Sequence, residues 1–143
     1  MSPTVGVIDT NTVILLERID PAGLPDEPVI TAITLAELSV GPLVTDDVLE
    51  RAARQARLQE AESAFEPLPF DAAAARVFGR VAAGLRRSGR KPAARAFDAL
   101  IAATAMANGM SLYTCNPRDY VGIDELTVFG IAHPVSAPAP PRR

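Results

Sequence analysis

Val5-Gly6-Val7-Ile8-Asp9-Thr10-Asn11 decides how this chain is read. Thr4 leads into an apolar run that ends abruptly on a carboxylate. A run without polar alternation predicts a strand buried on both faces, as the central strands of parallel sheets are. Parallel sheets present their chemistry at the carboxyl ends of their strands. Asp9 therefore stands where a buried strand opens onto a crevice. A purely local role, closing an Asx turn before a helix, explains the same residue equally well. The two readings part only if other acids reach the same edge.

Working outward, strand and helix signals alternate. Thr12–Arg18 predicts a short helix and Asp20–Pro28 a loop rich in turn residues. Val29–Ala32 predicts a second strand, and Thr34–Val40 a helix stopped near Gly41-Pro42. Thr45-Asp46-Asp47 offers a cap for a helix over Val48–Ser63, with Leu49, Ala52, Ala53 and Ala56 on its inner face. Phe65–Phe70 is broken by prolines and belongs at an edge or in a connection. Asp71 caps a helix from Ala72 to Arg87, with Ala74, Val77, Val81 and Leu85 inward. Phe97–Asn108 is apolar on nearly every side, so it predicts a buried helix, ended by Gly109 in a left-handed cap. Ser111–Thr114 and Leu126–Ile131 complete the strands. This alternation predicts one α/β domain over residues 1–133, with a mainly parallel sheet of about four to five short strands flanked by helices. Residues 134–143, rich in proline, are expected to form a flexible tail.

The bulk composition narrows the function classes. With 143 residues and 48% hydrophobic content, the chain is sized for one core, built mainly from Ala, Val, Leu and Ile because it has no Trp. A net charge of -3 argues against a surface that grips nucleic acid everywhere, while leaving room for a local basic patch. A single cysteine, Cys115, allows neither an internal disulfide nor a cysteine metal cluster. The start, Met-Ser-Pro-Thr, lacks the basic and apolar regions of a secretory signal, and no apolar run is long enough to span a bilayer. A cytoplasmic protein is expected.

The acids then have to be weighed one by one. Glu37 lies three residues after Thr34, the spacing of a capping box, but also just beyond the second strand. Asp98 opens the most apolar helix, either as its N-cap or as a first-turn residue facing the crevice. Asn116 and Asp119 follow the strand Ser111–Thr114 and fit a proline turn or a third strand end. Taken jointly, Asp9, Glu37, Asp98 and Asp119 reach one edge from four segments. Two carboxylates about 4 Å apart repel by roughly 4 kcal/mol at an effective dielectric of 20, so crowding calls for protonation or a cation. Oxygen donors without His or Cys favour Mg²⁺ or Mn²⁺, and such a centre suits phosphodiester hydrolysis. Between Asp71 and Asp98 there is no acid, while Arg76, Arg80, Arg86, Arg87, Arg90, Lys91 and Arg95 all fall there. That stretch is either a solvated face or a track for phosphates.

Ile8-Asp9-Thr10-Asn11, Ala36-Glu37, Phe97-Asp98-Ala99-Leu100-Ile101-Ala102-Ala103-Thr104-Ala105 and Tyr113–Tyr120 together resemble PIN-domain ribonucleases, most closely VapC-type toxins of toxin–antitoxin pairs. The resemblance runs from about Val5 to Ile131. It implies a PIN-like fold and a Mg²⁺- or Mn²⁺-dependent endoribonuclease. Asp9, Glu37, Asp98 and Asp119 are its implied catalytic and metal-holding acids, with Asn11, Thr114 and Asn116 behind them. Arg86, Arg87, Arg90, Lys91 and Arg95 are the expected RNA contacts. A homodimer and a VapB-like antitoxin that covers the acidic pocket are also implied. The chain departs from the pattern at Cys115 and at Asn116, where relatives often carry a larger or charged residue and an acid respectively. Three other classes compete, one of them a phosphatase with an aspartyl nucleophile, which wants a second Asp where Asn11 stands. A receiver-like phospho-acceptor wants an acidic pair after the first strand, where Thr10 and Asn11 follow Asp9. An RNA- or partner-binding module of the same fold would lack cleavage in a metal titration.

Overall fold

The computed structural model describes residues 2–90 and 95–134. Lys91 and the proline-rich segment from Val135 onward lie outside them. Four strands form one parallel sheet: β1 (Val5–Ile8), β2 (Glu27–Val29), β3 (Ser111–Thr114) and β4 (Val128–Gly130), in the order β2-β1-β3-β4. β1 is central, as its sequence requires: Gly6, Val7 and Ile8 are buried, and only Val5 at the strand's start is exposed. Gly6 is needed there because a Cβ would sit 2.4 Å from the Tyr113 ring on the neighbouring strand.

The chain leaves β1 to one side for β2, then returns past β1 to β3 on the other. The winding direction therefore reverses between β1 and β3, and the loops leaving these strands diverge. The crevice of the fold opens at that point, beside Asp9 and Thr114.

Five helices cover the sheet: α1 (Thr10–Ile14), α2 (Ala32–Val40), α3 (Val48–Ala64), α4 (Ala72–Arg87) and α5 (Ala96–Ala107). α5 lies deepest, with Ala99, Ile101, Ala102, Ala103, Thr104 and Ala105 all buried. Its small side chains let it approach β1 and β3 closely, and the buried Thr104 hydroxyl donates back to the Leu100 carbonyl at 2.8 Å. α4 packs along it through Ala74, Val77, Val81 and Leu85, the expected stripe. Gly109 ends α5's turn at φ +66°, as expected.

Several local expectations give way. The second strand ends at Val29 rather than reaching Ala32, because α2 starts earlier: Thr31 is its N-cap, accepting the Thr34 N–H at 3.3 Å. Thr34 is then a buried first-turn residue and no capping box exists, so Glu37 is freed from that role. The inner face of α3 is not Leu49, Ala52, Ala53 and Ala56, which are all exposed. Arg54, Leu58 and Ala61 face inward instead, and Arg54 donates to the Gly41 carbonyl at 2.9 Å and to Glu50 at 2.9 Å. An alanine-rich face contributes little burial, and an arginine stem can cover more apolar surface than alanine does. The first predicted helix shortens to α1 followed by a 3-10 turn at Leu16–Arg18, and the last strand shortens to β4. The Phe65–Phe70 segment does lie at the sheet's edge, where Leu68 bridges to Thr31 beside β2.

Candidate active site

Asp9 leaves β1 as the N-cap of α1 and is only 4% exposed. Burying a carboxylate this deeply is tolerable only if both oxygens are satisfied. They are. Oδ1 accepts the Thr12 N–H at 3.2 Å and the Thr12 hydroxyl at 2.5 Å. Oδ2 accepts the Thr114 hydroxyl at 2.7 Å and the Tyr120 hydroxyl at 2.8 Å. The local turn role and the convergent role are thus both real, on opposite oxygens. Thr114 arrives from the end of β3, and its hydroxyl also accepts the Asn116 N–H at 2.9 Å, which fixes the turn that follows.

Glu37 projects from the second turn of α2 to the same edge, where its Oε1 accepts the Thr10 hydroxyl at 2.6 Å. Asp119 sits on the 3-10 turn Pro117–Tyr120, and Asp98 in the first turn of α5. Asp98 is not the helix cap: Arg95 holds that position without a side-chain cap bond. The Arg95 guanidinium turns toward the acids, 2.6 Å from Asp119 Oδ1 and 3.8 Å from Asp98 Oδ2.

The electrostatics show the convergence. The Asp98 carboxyl is pushed up from 3.8 to about 6, first by burial, then by the charges of Asp119, Asp9 and Glu37, with Arg95 opposing. The charges of three other acids, each from a different segment, thus contribute to raising it. Burial, then Asp9, also drives the Tyr120 phenol well above the ordinary tyrosine range, and burial raises the Cys115 thiol. As the side chains stand, no three metal-capable groups among the described residues are gathered tightly enough to hold an ion. Each acid is engaged with an internal donor instead.

The other candidates spread more widely. Thr114 is a direct support of Asp9, and Asn116 contributes through its backbone. Asn11 is exposed, with no side-chain bond to the acids among the described residues. Arg86 and Arg87 are exposed in the last turn of α4. The Arg90 stem packs over Gly122, two residues past Tyr120. Sequence reasoning passed over Thr10, Thr12 and Tyr120. Thr12 stands three residues after Asp9, the spacing at which a hydroxyl returns to a capping carboxylate, and that signal was available. Nothing in the sequence points Tyr120 at Asp9, 111 positions away.

A domain family described as the PIN domain matches residues 7–124. The chain is 37% identical over 126 residues to Ribonuclease VapC5 of Mycobacterium tuberculosis (strain ATCC 25618 / H37Rv), covering 86% of this chain and 90% of that protein. Its structure is similar to the crystal structure of VapBC-5, a member of the VapBC family of toxin-antitoxin systems from Mycobacterium tuberculosis. That likeness has a TM-score of 0.78 and 34% identity over 90% of this chain and 99% of the other. It is also similar to DNA-bound VapBC from Salmonella typhimurium, with a TM-score of 0.67 and 26% identity over 89% of this chain and 97% of that one.

Proposed function

Because the chain belongs to the PIN-domain family, we propose that it is a metal-dependent endoribonuclease that hydrolyses RNA phosphodiester bonds as the toxin of a toxin–antitoxin pair. The observation that carries this reading is the crowding around Asp98. Burial first, then the charges of Asp119, Asp9 and Glu37, push the Asp98 carboxyl up to about 6, which supports a shared acidic site.

The proposed roles follow the geometry. Asp9, Glu37, Asp98 and Asp119 are the catalytic acids and the holders of Mg²⁺ or Mn²⁺. The donor set fits a hard cation, since it consists of carboxylate oxygens with neither His nor Cys sulfur among them. A bound divalent ion supplies Lewis acidity and an activated water at neutral pH. The chain's own part is placement. Thr12 and Thr114 hold Asp9 in a single rotamer, and Thr10 holds Glu37. Arg95 balances Asp119 and Asp98, and is positioned to turn outward toward a phosphate when a cation takes over that balance. Asp98 keeps a proton on its carboxyl below about pH 6, so the full set of charged oxygens exists only above it. Arg86, Arg87, Arg90, Lys91 and Arg95, in a stretch of sequence without acids, are assigned to RNA phosphates.

Ribonuclease VapC5 and the VapBC structures support a VapB-like antitoxin as partner and a homodimeric toxin. The run Val40, Leu43, Val44, Val48 and Leu49, all more than half exposed, supports a surface that works covered by another protein. No helix among the described residues is long and apolar enough to cross a membrane.

Cleavage of a mixed RNA pool by the purified chain tests the reading, with Mg²⁺, Mn²⁺ or a chelator, beside Asp98→Asn. Metal-dependent cutting is expected, reduced by more than about a hundred-fold in the variant, the scale on which loss of a positioned acid is felt. Equal cutting by a folded Asp98→Asn protein would overturn the site assignment.

A further inference from the structure

Tyr120 is a buried titratable side chain at this site to which the proposed reaction gives no task. It is 2% exposed, its ring belongs to the main apolar core, and its hydroxyl donates to Asp9 Oδ2. A carboxylate offers roughly four lone-pair positions. Asp9 receives four donors: two from Thr12 on Oδ1, and one each from Thr114 and Tyr120 on Oδ2. All of its acceptor capacity is taken, so a cation can reach Asp9 only if a donor withdraws.

The four donors differ in how readily they withdraw. The Thr12 N–H is fixed by the start of α1, and the Thr12 hydroxyl is fully buried and also accepts the Cys115 N–H at 3.3 Å. The Thr114 hydroxyl, also fully buried, is pinned by the Asn116 N–H. The Tyr120 hydroxyl has no second partner among the described residues. It rides on the short 3-10 turn Pro117–Tyr120, followed by Gly122 at φ +96°. The same turn carries Asp119. The geometry points to Tyr120 as a positioning residue that closes Asp9 Oδ2 in the metal-free chain and must release it when a divalent cation binds. Tyr120 thereby ties occupancy at Asp9 to the placement of Asp119.

This inference rests on the metal-centre reading above, and its test separates the two. Mn²⁺ binding to the full chain is measured by calorimetry for wild type, Tyr120→Phe and Tyr113→Phe, with thermal melts to confirm folding. Removing a competing hydroxyl is expected to tighten Mn²⁺ binding in Tyr120→Phe by about five-fold, the worth of one ordinary net hydrogen bond. Tyr113→Phe serves as the control. A second readout needs no variant to fold: the chain has two tyrosines and no tryptophan, so its near-ultraviolet absorption reports phenol hydrogen bonding. Titrating wild type with Mn²⁺ is expected to give a tyrosine difference spectrum that survives in Tyr113→Phe and vanishes in Tyr120→Phe. Wild type that binds Mn²⁺ without such a spectrum, or a Tyr120→Phe affinity that is equal or weaker, would overturn the inference and leave the nuclease reading standing. Failure of the wild type to bind Mn²⁺ would overturn both.

Discussion

In the folded chain the Asp98 carboxyl releases its proton near pH 6, where an unhindered aspartate does so near 3.8. Between those values the folded state holds a proton that the unfolded state has already lost. Stability therefore falls as pH rises through that window and levels off above it. At about 1.4 kcal/mol per pH unit the effect is at most about 3 kcal/mol. Urea melts of the metal-free protein between about pH 4 and pH 7 are expected to show this decline, and Asp98→Asn to flatten it. A wild-type profile as flat as the variant's would mean that the four acids do not crowd one another. Asp98 is also a residue whose position the sequence left open. As N-cap or as first-turn acid it reads the same, and the start of α5 at Ala96, with Arg95 at the N-cap, separates the two.

The elements differ in how openly the sequence declares them. α4 and α5 were legible because burial dictates their patterns: a four-residue apolar stripe in one, an almost unbroken apolar run in the other. α3 was legible in extent but not in its inner face, because alanine is nearly indifferent to which side it faces, and Arg54, which turns inward, looks like a surface residue. The start of α2 was misplaced because Thr31 and Thr34 are both good caps, and the strand's hydrogen bonds to Leu68 settle between them. Two predictions belong here. Gly6→Ala in β1 forces the Tyr113 ring, which stacks on Phe129, out of place and is expected to destabilise the fold by about 1–3 kcal/mol in a denaturant melt. Neutralising Arg86 and Arg87 at the end of α4 is expected to weaken RNA binding and lower its salt slope by about 1.4, roughly 0.7 for each lost contact to a single strand. An unchanged slope would make that end of the helix a solvated face.

Across the whole molecule, the parallel sheet was legible from one unbroken apolar run ending in Asp9, and the resemblance put Thr114 behind the acids, while Tyr120 was not legible. Its hydroxyl reaches Asp9 from 111 positions away, and no local pattern links residues so far apart. The layers should also differ in persistence. α5 is buried along most of its length and α3 only at Ala61. Native-state hydrogen exchange is expected to find the α5 and β1 amides opening last and those of α3 much earlier. Equal protection would show a single cooperative unit. The long sequence separation around Asp9 bears on synthesis as well. A ribosome that has just added Asp9 must add 105 more residues before Thr114 exists, and 111 before Tyr120 does. Until then Asp9 lacks the donors to its Oδ2, so a message cut short before that point is expected to yield a fragment with an incomplete site.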